Sequence, residues 1–301
     1  MPSLRAPSAS TKRSVAGIAK PEIIQVPEWN GYSRLIHGFS TRRHGHSTVY
    51  GGSDLNLGFT SADSRRVVQS NRTAFLNALL GRKHCFDLTT ASQIHSDIIH
   101  VVDARSSPTQ KGDGLITPEP GLLLAIQVAD CVPVLAYDPE NQVVAAFHAG
   151  WRGTVKRIVD KGVGTMRLRF GSDPQNIEAA IGPCIHQCCY AVGDDVVEEF
   201  RSQFAYADEL FRDVYDKDPI KLRYPLLFMT ARAPGHFNIN SSVHLDLVEA
   251  NRRQLLDAGL LPENIRVVSD CTACNKDYLW SHRAESGFAG RMMGVIGIRP
   301  R

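Results

Sequence analysis

The sequence predicts a single soluble domain with mixed β-sheets and helices on the outside, in the α+β or α/β class. Three observations carry this. Apolar strand-length runs alternate with amphipathic helical stretches; two of those runs are joined by a tight Asp138-Pro139-Glu140-Asn141 turn and so form a hairpin; and no Pro/Gly/Ser-rich linker or internal repeat divides the chain. Hairpins mixed with crossovers argue against a purely parallel sheet.

Leu122 to Val128, Val132 to Tyr137 and Val143 to Ala149 read as buried strands, and Ile177 to Ile181, Ile265 to Ser269 and Met293 to Ile298 as further ones. Ser64 to Leu80 reads as a helix, with Val68, Phe75 and Leu79 on one stripe and Gly81 ending it. Thr154 to Phe170 and Asp194 to Phe204 also have helical spacing. Asn240 to Ala258 reads as the longest helix, with Leu245, Val248, Leu255 and Leu256 inward. Tyr206 to Pro234 has no clear period and reads as an irregular insertion. Residues 1–21 hold four basic side chains before Pro21, no acid and no apolar h-region, so they read as a disordered N-terminal tail, an organelle targeting segment being the alternative. Residues 22–301 then form one domain.

Composition narrows the function classes. The chain is 43% hydrophobic and 22% charged, the balance of a globular protein. Thirty-four Lys and Arg against 31 Asp and Glu give +3, which announces neither nucleic acid nor a membrane surface. Seven Cys in 301 residues are too sparse for a disulfide scaffold and point to reduced thiols in a cytoplasmic setting.

Reactive residues interrupt three strand-like segments: Ser92-Gln93-Ile94-His95-Ser96, Val128-Ala129-Asp130-Cys131-Val132-Pro133, and Ala146-Phe147-His148-Ala149-Gly150-Trp151-Arg152-Gly153-Thr154. Two imidazoles and a thiolate from separate strands suit a zinc ion with one open position, the catalytic pattern; three ordinary buried side chains are the alternative. The Gly150–Thr154 turn opens a helix and, with Arg152, offers an anion site or simply a capped turn. Arg72 shares the inward stripe of Val68 and Phe75, so it needs a phosphate or an internal carboxylate. His44-Gly45-His46 is the single H-x-H and reads as a polar loop. Cys184, Cys188 and Cys189, with Cys271-Thr272-Ala273-Cys274, form a second constellation that suits structural zinc or labile thiols. Asp113, in Gly112-Asp113-Gly114, offers a catalytic carboxylate but reads first as turn chemistry.

Taken together, Phe39-Ser40-Thr41-Arg42, Leu55-Asn56-Leu57-Gly58, Asn71-Arg72, Gln93-Ile94-His95, Asp113-Gly114-Leu115-Ile116-Thr117, Ala129-Asp130-Cys131-Val132-Pro133, His148-Ala149-Gly150-Trp151-Arg152-Gly153, Ile181-Gly182-Pro183-Cys184-Ile185 and Cys271-Thr272 resemble, in order, one family. It is the purine nucleoside phosphorylase family also labelled multicopper polyphenol oxidase or laccase domain, and the resemblance runs from Ile36 to Ile298. It implies a single domain with αββα layering and one catalytic zinc on His95, Cys131 and His148. It also implies phosphorolysis of adenosine, inosine, guanosine and methylthioadenosine, together with adenosine deamination, by a monomer or homodimer. Arg42, Arg72 and Arg152 are then the expected phosphate group, Asn56 holds a sugar hydroxyl or base edge, and Asp130 is the expected proton shuttle. Two departures bear on substrate preference: Arg43-His44-Gly45-His46-Ser47 replaces a Gly-Gly pair, and Trp280-Ser281-His282-Arg283 has His where the family has Tyr. The rival readings are a copper polyphenol oxidoreductase, for which one H-x-H among 11 His is sparse, a Cys–His hydrolase using Cys131, and a non-catalytic zinc module.

Overall fold

The computed structural model describes residues 19–105, 110–215 and 241–301. Two sheets face each other. The first has the order β1 (Ile23–Ile24), β2 (Leu35–Ser40), β15 (Met292–Ile298), β7 (Leu122–Val128) and β4 (Asp87–Thr90), with β4 parallel to β7 and the other neighbours antiparallel. The second runs β14 (Ile265–Val267), β10 (Glu178–Ile181), β8 (Val132–Asp138), β9 (Val143–Ala149), β6 (Gly114–Thr117) and β5 (Ile99–Val101), mixing parallel edges with an antiparallel centre. A small third sheet joins β11 (Ala191–Val192), β13 (Ser241–Leu245) and β12 (Phe211–Tyr215).

Strand alternation decides what each face covers. Leu124, Ile126, Leu135, Tyr137, Val144, Ala146, Ile296 and Ile298 fill the space between the two large sheets. The opposite parity of the first sheet, Leu123, Ala125 and Val295, packs with Phe75 on α1 (Arg65–Leu80). The outer face of the second sheet, including Val134, Ala145 and Phe147, packs on α3 (Ile158–Phe170) and α5 (Leu247–Asp257). The result is the αββα layering expected, completed by α2 (Trp151–Val155) and α4 (Asp194–Gln203).

The main strands and α1 lie where the sequence predicts them, α1 opening on Ser64, whose hydroxyl accepts from Val67 N. Three predicted elements differ. The Thr154–Phe170 helix is two helices, because Arg157 takes a left-handed conformation (φ 61°) between α2 and α3. The Asn240–Ala258 helix begins at Leu247: Asp246 caps it through Glu249 N, and Leu245 belongs to β13 instead. That leaves α1, at 16 residues, the longest described helix. Of the irregular insertion, Phe211–Tyr215 pairs with β13 as a strand. Residues 216–240, and residues 1–18 of the predicted tail, lie outside the described residues. Among the described residues no helix is long and apolar enough to cross a membrane.

His37 gives the first prediction. It is 3% exposed; its Nε2 accepts from Val26 N at 2.9 Å, and its ring meets Trp29 edge-on. Burial pushes its pKa down to about 4, against an ordinary value of 6.5. The unfolded chain therefore binds the proton first as pH falls. The stability held by neutral His37 is complete above 6.5 and lost on the way down to about 4. Between pH 7.5 and 5 this removes about 2 kcal/mol. Urea unfolding at the two pH values should show that loss, and His37→Gln should abolish most of it.

Candidate metal centre

The centre forms where the chain passes between the large sheets. β7 in the first sheet leads through Ala129, Asp130 and Cys131 into β8 of the second. His148 ends β9 on the face of Val144 and Ala146. His95 sits in the loop after β4, held at φ 57°. One donor atom from each of His95, Cys131 and His148 lies within 4.8 Å of the others, and the two imidazoles stand edge-to-face with centroids 4.9 Å apart.

Asp113 organises this group. Its Oδ1 accepts from His148 Nδ1 at 2.8 Å and from His95 N at 3.0 Å. Its Oδ2 accepts from Ser96 N at 2.6 Å, the Ser96 hydroxyl at 2.7 Å and Ile94 N at 3.2 Å. The carboxylate is 1% exposed; burial would raise its pKa, but these donors hold it well below the usual carboxylate range. Donation from Nδ1–H leaves Nε2 of His148 free for another partner, the arrangement found behind metal-ligating histidines. Burial likewise opposes ionisation of the Cys131 thiol, yet the two imidazoles bring it down to about 6. His148 is raised to about 9, the thiolate and Asp113 outweighing its burial. Turn chemistry alone, the sequence reading of Gly112-Asp113-Gly114, misses this carboxylate.

The space fits an ion. A Cβ on Gly150 would lie 3.0 Å from Cys131 Sγ and 3.2 Å from His95 Cδ2, so glycine keeps the cradle open. A thiolate and two imidazoles are zinc's ordinary donors. The group opens onto a cavity of about 590 Å³ whose wall includes Gln93, Gln127, Asp130, Tyr190, His282, Arg283 and Arg291.

The four other residues expected at the site lie outside that wall. Arg42 is bound to Asp54 (3.0 Å) and Glu285 (2.9 Å) and stacks on Trp280, so its charge is already matched. Asn56 is fully buried; its Oδ1 accepts from Gly58 N and Arg291 N, which makes it a scaffold for Arg291 rather than a wall residue. Arg72 has no carboxylate partner among the described residues: its Nε donates to Leu57 O and its guanidinium covers Phe59. Arg152 lies over Trp151 on the short α2. Asp130 does line the cavity, because φ 86° lifts it out of strand alternation. Both its oxygens are engaged, Oδ1 by the Thr272 hydroxyl and Oδ2 by Arg283 N, each at 2.6 Å.

The cations facing the cavity are instead Arg283 and Arg291. Arg283 donates to Ala191 O and stacks near Tyr190; Arg291 donates to the carbonyls of Ala289 and Gly290. In the sequence His282 stood out only as a departure from a family pattern that Arg283 follows, and Arg291, a lone cation before β15, carried no signal.

His44 and His46 do not act together. His44 pairs with Glu22 at 2.8 Å, and His46 borders a separate surface groove with Arg66 and Asn77.

The family described as multi-copper polyphenol oxidoreductase laccase matches residues 36–299. The chain belongs to that family. The purine nucleoside phosphorylase YlmD of Geobacillus stearothermophilus is 34% identical over 275 residues, 89% of this chain and 92% of that protein. A protein named adenosine deaminase RL5, from an unknown prokaryotic organism, is 30% identical over 266 residues, 85% and 91% of the two chains. The crystal structure of the Bacillus licheniformis hypothetical protein YfiH superposes with a TM-score of 0.78 at 32% identity, covering 94% of this chain and 98% of that one. The family's label speaks of copper and its relatives' names of nucleosides. Among the described residues the only His-containing group that can hold a metal is the three-ligand one.

Proposed function

We propose that the chain is a zinc-dependent purine nucleoside phosphorylase that also deaminates adenosine. The observation that carries this is the convergence of His95, Cys131 and His148 on one point of a cavity that also presents two guanidinium groups. Zinc held by these three residues would supply Lewis acidity and an open position for water or substrate. The names of the relatives supply the substrate class: nucleoside and phosphate in one case, adenosine in the other.

The chain's own groups divide the remaining work. Asp113 fixes the His148 tautomer and orders the His95 loop. Arg283 and Arg291 each keep N–H groups beyond those given to main-chain carbonyls, and a guanidinium fork suits phosphate. They replace Arg42, Arg72 and Arg152 as the phosphate group. Asp130, with both oxygens occupied, positions Arg283 through its backbone N–H rather than carrying a proton.

Incubation of the purified protein with adenosine and phosphate, followed by chromatography, tests the proposal. Phosphate-dependent adenine marks phosphorolysis and inosine marks deamination; neither product in the presence of zinc rejects the function. Stoichiometric copper in the active protein would favour the oxidoreductase. One observation favours the hydrolase as a second reading: Asp113, His148 and Cys131 follow one another as orienter, base and nucleophile do in a triad. Turnover that survives metal removal and is then abolished by stoichiometric alkylation of Cys131 would decide for it. For the phosphate group, Arg291→Ala should raise the KM for phosphate about tenfold, the cost of one charge-assisted hydrogen bond, while the KM for nucleoside stays within about twofold.

A further inference from the structure

A second set of side chains lies outside the mechanism. Cys188 and Cys189, before β11, meet Cys271 and Cys274, which follow β14. Their four sulfurs all lie within 4.8 Å of one another. Cys188 Sγ is 3.6 Å from Cys189 Sγ, 3.7 Å from Cys271 Sγ and 3.6 Å from Cys274 Sγ, and Cys189 Sγ is 3.4 Å from Cys274 Sγ. A disulfide needs sulfurs about 2 Å apart. Four thiolates around one tetrahedral ion, at about 2.3 Å from it, stand about 3.8 Å apart. The observed spacing is that of ligands converging on a common centre, not of pairs bonded to each other. One backbone N–H also points at the cluster: His186 N donates to Cys271 Sγ at 3.5 Å.

We propose that Cys188, Cys189, Cys271 and Cys274 form a closed tetrathiolate site for one zinc-type divalent ion, separate from the cavity centre. Four protein ligands leave no open position, so this ion is structural. Its place in the fold gives it a purpose. The two segments are already joined beside it by backbone pairing of Cys184 with Cys271, a β-bridge in which Thr272 N donates to Cys184 O at 2.9 Å. They also support one side of the cavity wall. Tyr190 follows Cys189, Thr272 follows Cys271 and holds Asp130, and Asp130 in turn accepts from Arg283 N. The ion would clamp the two segments at the surface end, while hydrogen bonds hold them at the cavity end. The spacing of the ligands, two adjacent cysteines and a C-x-x-C some 80 residues on, explains why sequence patterns built on two C-x-x-C pairs pass over it.

The test is metal stoichiometry and a spectroscopic signature in the full chain, which keeps it independent of turnover. Protein purified under reducing conditions is loaded with zinc, dialysed and analysed by mass spectrometry for bound metal; cobalt(II) loading is then read by absorption. The wild type should hold two ions per chain. Cys188→Ser with Cys274→Ser, both exposed positions, should hold one and lose most of the intense sulfur-to-cobalt charge-transfer absorption. Cys131→Ser should also hold one but keep that absorption. One ion in both the wild type and the Cys188/Cys274 variant overturns the site, as does an intact mass showing these cysteines joined in disulfides after reducing purification. If the double variant does not fold, Cys188→Ser alone gives the same reading through the loss of absorption per chain. A failed cavity reading would instead show as loss of the ion retained in the Cys188/Cys274 variant, so the two outcomes stay distinct.

Discussion

Asp113→Asn is expected to lose about 3 kcal/mol of stability and to weaken metal binding 10- to 100-fold. The carboxylate accepts at least two donors on each oxygen: His148 Nδ1 and His95 N on one, Ile94 N, Ser96 N and the Ser96 hydroxyl on the other. An amide has the same shape but a donor on one side, so whichever way it turns, an N–H faces other N–H groups in a buried place. The backbone of the His95 loop then loses its anchor and His148 its fixed tautomer, so turnover should fall with the metal. Urea unfolding and competition with a chromophoric chelator read the two losses. Asp97→Asn is the control: its ion pair with Lys161 is half-exposed and should be worth less than about 1 kcal/mol. Equal effects from both substitutions would remove Asp113 from its organising role.

Gly150→Ala should separate metal binding from folding. Gly150 has φ −67°, which any residue adopts, so alanine meets no backbone strain. Its Cβ would instead sit 3.0 Å from Cys131 Sγ and 3.2 Å from His95 Cδ2. Both donors must move by a few tenths of an ångström, which spoils a shared coordination point more than it disturbs packing. The expected result is at least a tenfold loss of metal affinity and of turnover, with stability of the metal-free protein changed by less than about 1 kcal/mol. Gly162→Ala should do the reverse. Its Cβ would fall 2.3 Å from the Phe147 ring, where α3 packs on β9. Overpacking there costs about 1–3 kcal/mol and leaves the donors in place. If Gly150→Ala binds zinc as the wild type does, the three side chains do not share an ion.

The layered fold was legible in the sequence where local signals suffice. The apolar runs of β7, β8 and β9 and the Ser64-to-Gly81 span of α1 announce themselves by length, period and caps. Non-local choices left no such mark. Nothing local tells β15, at the far end of the chain, to insert between β2 and β7. Ser241–Leu245 carries a polar-apolar pattern that fits the start of a helix as well as a strand, and only pairing with β11 and β12 decides it. At the site, the residues that interrupt apolar strands were visible because burying them needs a reason. Arg42 and Arg72 were visible for the same cause; Arg42 is matched within the scaffold by Asp54 and Glu285, whereas Arg72 gives one N–H to Leu57 O and covers Phe59. Asp113 looked like a turn residue because its role lies in partners 17 to 35 positions away.

The passage of the chain from β7 to β8 has a mechanical consequence. His95 lies in the loop that leaves β4 of the first large sheet, His148 on β9 of the second, and Cys131 in the stretch of backbone running from one sheet to the other. An ion shared by all three would act as a rivet across the sandwich. Part of its binding energy would then go into keeping the two halves from sliding or gaping at that end. Removing it would loosen the His95 loop and the end of β9 together.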